Sequence, residues 1–282
     1  MRDFVKTLLL GAALAGLGAT QGWAADLAEP VVEQAPAQVA YAEPYSGWYI
    51  RGDVDYHWSK FKEGEYVRYG DPTFEDGRRG TIDGDLDEAW SGGVGLGYQI
   101  NRHLRTDLTV DYLGKADFRG DTVGECLSDP LLTCTSTDRS SYSAWLLLAN
   151  VYAELGTYHG FTPYIGAGIG GAHVKWDKLT NTIEDESFEH DGEKGWRFAY
   201  ALMAGTSYCL TKNLDLDIGY RYAHVEGGDM FGYASGVGPG EDGGINVHEV
   251  RGGLRYKFGG GRSECGAPEP VAYEPVEPVY TK

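Results

Sequence analysis

Across residues 47–258 apolar and polar positions alternate with a period of two, the pattern of strands whose two faces meet different surroundings. Eight such runs can be traced. In the first, Trp48 to Trp58, the even positions Trp48, Ile50, Gly52, Val54, Tyr56 and Trp58 are apolar or small. The odd positions Tyr49, Arg51, Asp53, Asp55 and His57 are mostly charged. The third, Leu104 to Phe118, sets Leu104, Leu108, Val110, Tyr112, Ala116 and Phe118 against Arg105, Asp107, Thr109, Asp111, Lys115 and Asp117. The second (Ala89 to Ile100), sixth (Trp196 to Cys209), seventh (Leu214 to His224) and eighth (Ile245 to Phe258) obey the same rule. The fourth (Ser140 to Leu155) is nearly all apolar at its centre. In the glycine-rich fifth (Thr162 to Trp176) the pattern does not tell one face from the other.

The connectors alternate as well. Asn101-Arg102-His103, Gly156 to Phe161 and Leu210 to Asn213 are short, whereas Ser59 to Asp87, Arg119 to Arg139, Asp177 to Lys194 and Glu226 to Gly244 are long. Short turns at one end and long loops at the other predict an all-β, eight-stranded antiparallel up-and-down barrel. An even strand count returns both ends of the chain to the short-turn side. A lipocalin-like container shares that topology but would bury its apolar face.

The charged set decides which face points inward. Arg51, Asp53, Asp55, Arg105, Asp107, Asp111, Asp215, Asp217, Arg221, Glu249, Arg251 and Arg255 all fall on polar faces, five arginines against seven acids. In a narrow tube these side chains meet and pair. The opposite faces carry aliphatics mid-strand and aromatics at the ends. Tyr56, Trp58, Trp90, Phe118, Trp176, Trp196 and Tyr222 form one expected girdle; Trp48, Tyr98, Tyr208, Tyr256 and Phe258 form the other. The expectation is therefore a transmembrane barrel with a polar interior and lipid outside. Runs of eleven residues or more satisfy the ~9–11 that a tilted membrane strand needs.

Composition agrees. Of 282 residues 42 are Gly, and aromatics make up 13%, a poor recipe for helical bundles. A net charge of −18 disfavours nucleic acid. Arg2 and Lys6, the apolar run Leu8 to Leu17 and the small residues Gly22 and Ala24 read as a signal peptide over residues 1–24. Residues 25–46 form an acidic Pro-containing periplasmic linker, 47–258 the barrel, and 259–282 a Pro-rich periplasmic tail.

The mature start Ala25-Asp26-Leu27, the first strand Gly47-Trp48-Tyr49-Ile50-Arg51-Gly52, the segment Thr162-Pro163-Tyr164-Ile165-Gly166-Ala167-Gly168 and the segment Leu214 to Tyr222 resemble the small outer-membrane β-barrel surface proteins of alpha-proteobacteria. These are the "porin family", relatives of the OmpA and OmpX type barrels. The resemblance covers residues 1–258 and implies export to the Gram-negative outer membrane, where such chains serve as surface antigens. It also implies recognition by the barrel-assembly machinery through an aromatic strand end. Here Tyr256-Lys257-Phe258 is followed by 24 further residues, a departure from that pattern.

Four cysteines allow three pairings. The expected topology puts Cys126 and Cys134 outside and Cys209 and Cys265 in the periplasm, so Cys126–Cys134 and Cys209–Cys265 are the predicted bonds. No Cys-x-x-Cys, nucleophile elbow, EF-hand or cofactor motif occurs, and neither a metal nor a cofactor is expected. His57, His173, His190, His224 and His248 are the titratable candidates for catalysis, but none sits in a nucleophile motif. The long loops carry −3, −2, −5 and −4 charges. Their carboxylates, Asp83, Asp85, Asp87, Glu184, Asp185 and Glu186 among them, could meet lipopolysaccharide phosphates through divalent cations. The function expected is a structural and surface-interaction role without catalysis. The alternatives are a small pore, an adhesin or a lipid-modifying barrel enzyme.

Overall fold

The computed structural model describes residues 46–68, 78–126, 128–129, 131–234 and 237–258. The expected signal peptide, the expected linker up to residue 45 and the expected tail with Cys265 lie outside the described residues. Among these there are fourteen strands and no helix: β1 (Gly47–Phe61), β2 (Gly64–Arg68), β3 (Arg78–Leu86), β4 (Glu88–Asn101), β5 (Leu104–Glu125), β6 (Thr133–Glu154), β7 (Phe161–Trp176), β8 (Leu179–Ile183), β9 (Glu186–His190), β10 (Lys194–Cys209), β11 (Leu214–Val225), β12 (Gly228–Phe231), β13 (Val237–Asp242) and β14 (Ile245–Lys257).

Eight of them are the alternating runs. They pair antiparallel in the order β1, β4, β5, β6, β7, β10, β11, β14, and β14 pairs in turn with β1. β5 and β6 reach 22 residues each, well past the predicted ends at Phe118 and Ser140. Thr133, Thr135 and Thr137 favour strand by their branched Cβ yet show no apolar alternation, because the buried positions between and after them, Ser136 and Asp138, are themselves polar. The other six strands lie in connectors expected to be loops. β8 and β9 form a hairpin that continues onto β6 through Thr137↔Thr182. β3 joins β5 through Asp83↔Asp121, and β2, β12 and β13 extend that layer.

Burial settles the orientation. Val54, Leu108 and Ile218 are 62%, 63% and 51% exposed, while Arg105, Arg221 and Arg255 are fully buried. Apolar side chains cover the outer wall and charges fill the tube, the reverse of a water-soluble container. In β7 the face left open by the sequence resolves as even-inward: Thr162, Tyr164, Ala172 and Val174 are buried, and Ile165 and Ile169 face out.

Two expected girdle residues are misplaced. Phe118 and Trp176 are each 1% exposed and belong to the core. For Phe118 the cause is a bulge: the β5–β6 register shifts between Leu113 and Ala116, and one extra residue swaps the faces of everything beyond it. Lys115 and Asp117, expected inside, therefore point outward. Trp176 falls on the inward parity of β7, which the run of Gly166, Gly168, Gly170 and Gly171 concealed.

The interior is also only half polar. Its periplasmic half holds the charges. Toward the long-loop end Leu113, Leu146, Leu148, Ala172, Val174, Ala199, Ala201, Ala223 and Val247 line it. Above them Phe61, Phe118, Tyr142 and Trp176 pack ring on ring, with centroids 4.8–6.1 Å apart. This apolar, aromatic lid is a second core beneath the strands of the outer connectors.

Candidate functional site

Inward side chains on eight strands converge on one narrow space, so their spacing follows from the pairing register. Asp53, Arg51 and Tyr49 on β1 sit opposite Gly93, Gly95 and Gly97 on β4, and those glycines sit opposite Asp111, Thr109 and Asp107 on β5. The missing side chains leave room for the large ones. A Cβ at Gly93 would collide with the Asp111 carboxylate, and one at Gly97 with the Tyr49 ring.

All twelve charged residues chosen from the sequence are buried in this space. Near the periplasmic end Arg105 contacts Glu154 (3.3 Å) and Asp107 (3.6 Å). Its guanidinium stacks over the Tyr152 ring, 3.7 Å from the centroid. Arg255 reaches Asp215 (2.9 Å), Asp217 (3.4 Å) and Glu154 (3.4 Å), and Lys257 adds a second cation to Asp215 at 2.7 Å. One level up, Arg51 pairs with Asp53 (2.7 Å) and Asp107 (3.4 Å), and Asn150 donates to Asp107 at 2.8 Å. Above these, Arg251 links Asp53, Asp55 and Asp111 at 2.9–3.3 Å. Arg221 joins Asp111 at 3.0 Å and also contacts Glu249.

Several of these pairs cross the space from side to side. β11 and β5 are four steps apart in the pairing order, and so are β14 and β6. Arg221–Asp111 and Arg255–Glu154 therefore join opposite walls directly. Burying this many charges is tolerable only because each has partners; an isolated one would cost several kcal/mol.

The sequence also left members out. Tyr49, Gln99, Asn150, Tyr152, Glu154 and Lys257 share the inward parity and complete the network. A second site, Arg197 with Asp242 at 2.6 Å and Trp176 Nε1 donating to Asp242 at 3.0 Å, ties the aromatic lid to β13. Asp242 lies in a connector, where no periodicity could mark it. Burial raises its pKa, against the pull of Arg197.

The outer wall carries the remaining girdle residues. Trp48, Tyr56, Trp90, Trp196, Tyr208, Tyr256 and Phe258 are exposed and Trp58, Tyr98 and Tyr222 half-exposed. Cross-strand contacts join Trp48 to Tyr98 and Tyr56 to Trp90, with centroids 5.4 and 5.3 Å apart. Trp145, not among the expected girdle residues, faces outward beside Tyr112. From Trp48 to Trp58 the strand runs ten residue steps, about 33 Å at ~3.3 Å each. Tilted as membrane strands are, that covers an apolar band of ~25 Å.

A family model, "Outer membrane protein beta-barrel domain", matches residues 12–258. The chain belongs to this family. The barrel therefore resides in the Gram-negative outer membrane. An uncharacterized protein of Brucella abortus is 41% identical over 274 residues, with 83% of this chain and 92% of that protein covered. The 31 kDa outer-membrane immunogenic protein of Brucella melitensis is 26% identical, covering 90% of this chain and all of that one. Among solved structures, the outer membrane protein OprG from Pseudomonas aeruginosa is 13% identical, with 76% of this chain and 97% of that chain covered at a TM-score of 0.43.

The barrel's five candidate histidines do not assemble. His173 and His248 are on the outer wall, against Trp196 and Trp58 respectively. His190 packs on Phe231, and His224 contacts Asn246 at 2.7 Å. Only His57 meets a serine hydroxyl among the described residues: Ser91 Oγ is 3.3 Å from its Nδ1, and Ser91 donates to Glu249 at 3.4 Å. The serine then stands between the histidine and the acid. In a nucleophile relay the imidazole stands between them.

Cys126 and Cys134 are bonded. Cys209 is disulfide-bonded as well; Cys265 lies outside the described residues. Beside the first bond, Glu184 accepts hydrogen bonds from the Ser128 backbone N–H and hydroxyl at 3.0 and 2.5 Å, joining the β5–β6 tip to the β8–β9 tip. The acidic residues offered for divalent cations do not converge. Asp83 and Asp85 lie on β3, Asp87 pairs with Arg119 at 2.7 Å, and Glu184 to Glu186 turn the distant β8–β9 hairpin.

Proposed function

We propose that this protein is a closed, eight-stranded barrel that acts as a structural anchor of the outer membrane and displays a β-structured, acidic surface to the outside, without catalysis. The observation that carries this reading is the filling of the tube. Ion pairs cross it from wall to wall in the periplasmic half, and apolar side chains under an aromatic lid occupy the rest. An eight-stranded barrel has an interior that side chains just fill. That speaks against the pore alternative, and the dispersed histidines speak against the enzyme alternative. Surface display is supported by the long β5–β6 and β8–β9 extensions, stapled by Cys126–Cys134, and by a relative named as an outer-membrane immunogenic protein. The partners proposed are outer-membrane lipid, including lipopolysaccharide, and the barrel-assembly machinery.

The test combines two measurements. Membrane fractions should contain the protein, and the folded form should migrate differently on gels before and after heating. Planar bilayers should show no steady conductance with the wild-type protein. Reproducible single-channel steps would overturn the closed-tube reading, and release of acyl chains or sugars from added lipopolysaccharide, seen by mass spectrometry, would overturn the non-catalytic one.

A further inference from the structure

The long connectors are strongly acidic, yet one wall of the barrel is basic where it leaves the membrane. The bulge in β5 turns Lys115 outward. At the same level on neighbouring strands lie Lys175 on β7 and Lys194 on β10, directly opposite each other. Two outward positions farther out, about 13 Å along the strand, Arg119 on β5 is directly opposite Arg139 on β6. All five are exposed. Lys175 stands one outward position beyond His173, which pairs with the lipid-facing Trp145 and Trp196. The basic residues therefore begin about 7 Å above the aromatic girdle, at headgroup depth.

Acids share this wall, since Asp117 faces outward on β5 between Lys115 and Arg119, and Asp85 lies directly opposite Arg119, but countercharge is incomplete at Arg139 and Lys194. Asp177 contacts Lys115 (2.7 Å) and Lys175 (3.4 Å), and Asp87 contacts Arg119 (2.7 Å). Among the described residues neither Arg139 nor Lys194 has a carboxylate within ion-pairing distance. Like charges directly opposite each other destabilise a sheet, and the sequence accepts this twice on one wall. The opposite wall, by contrast, presents Lys60 and Glu88 at this depth. From β5 to β10 the patch spans three strand spacings, about 14 Å, room for more than one anion.

We propose that the outer wall of β5, β6, β7 and β10 binds the phosphate groups of an outer-leaflet lipid, with Arg139 and Lys194 as its principal ligands and Lys115, Lys175 and Arg119 beside them. This rests on the anchor reading above and gives it a lipid and a place. The lipid's own position selects it: only a headgroup in the outer leaflet holds phosphate against this strip while its chains lie along Trp145, Leu147 and Trp196. Binding here uses guanidinium and ammonium groups directly on phosphate, with no bridging cation.

The test is native mass spectrometry of the full mature chain in detergent, titrated with bis-phosphorylated lipid A and, separately, with the same lipid stripped of phosphate. A basic side chain near a charged membrane surface contributes about fivefold in affinity. The phosphorylated lipid should therefore bind at least ~25-fold more tightly, and R139Q/K194Q should lose about that factor. K60Q on the opposite wall should change nothing. If the double variant lacks the heat-modifiable folded band, R139Q and K194Q singly should each cost about fivefold. Equal binding of the two lipids, or unaltered binding by the variants, would overturn the site. Displacement of the lipid by millimolar inorganic phosphate would overturn the lipid as its occupant. Absence of the protein from membrane fractions would instead count against the anchor reading itself.

Discussion

Arg221 holds two carboxylates at once, and its removal is a sharp test of a filled tube. Its Nη1 is 3.0 Å from Asp111 on the far wall, and its Nη2 donates to Glu249 at 2.9 Å. All three side chains are fully buried. Replacing Arg221 by leucine leaves Asp111 with Arg251, 2.9 Å away. Glu249 then keeps, among the described residues, the Ser91 hydroxyl at 3.4 Å. Stranding one member of a buried pair costs roughly 3–5 kcal/mol. Because Asp111 retains a cation, a loss of about 3 kcal/mol is expected, at the low end of that range. With a urea slope of about 2 kcal/mol per molar, the unfolding midpoint should fall by about 1.5 M. The double variant R221L/E249L removes both charges and should return to within about 1 kcal/mol of wild type, since apolar replacement of a whole buried pair is near neutral. The assay is urea unfolding in micelles, followed by tryptophan fluorescence and by the folded band on unheated gels. A single variant within ~0.5 kcal/mol of wild type, or a double variant no better than the single, would refute the reasoning. Either outcome would mean that water screens these charges and that the tube is open.

The lid offers a second test: Trp176→Ala removes a fully buried ring and its hydrogen bond to Asp242, and should cost about 3–5 kcal/mol by the same urea assay. Asp138, in the extension of β6 beyond the membrane, has its carboxyl pushed up to about 6 by burial, against hydrogen bonds from Asn181 and Thr122. A raised carboxyl stabilises the fold below its unfolded value near 4, and that contribution is lost as pH rises through about 6. Hydrogen exchange in residues 120–140 should therefore be slower at pH 4.5 than expected from the intrinsic rate change, and Asp138→Asn should abolish the difference. Replacing Cys126 and Cys134 by serine should leave the unfolding free energy of the barrel in urea within ~0.5 kcal/mol of wild type, while protease cleavage at the β5–β6 tip accelerates. An equal loss of barrel stability would show that the tip and the barrel unfold together.

The alternating strands and their inward charges were legible because alternation has one meaning when the two sides of a sheet differ so strongly. Arg51, Asp107, Asp215 and Arg255 could be assigned by parity alone. The same rule failed at Phe118, because a bulge adds a residue without adding any mark to the hydrophobic pattern. It was silent on β7, where glycines have no preference for either side, and on the outer strands β2, β3, β8, β9, β12 and β13, which are too short to show a period although Tyr66, Ile82, Leu179 and Met230 are buried there. Local chemistry in this chain therefore determined strand identity, orientation toward lipid, and which residues must pair. Only the tertiary structure decided the partners. Arg221 meets Asp111, and Arg197 meets Asp242, through pairing register and closure across the tube, and those contacts join residues 110 and 45 positions apart. The basic outer wall was hidden for the same reason, since its five residues come from four strands and come together on one wall only once the strands are in register.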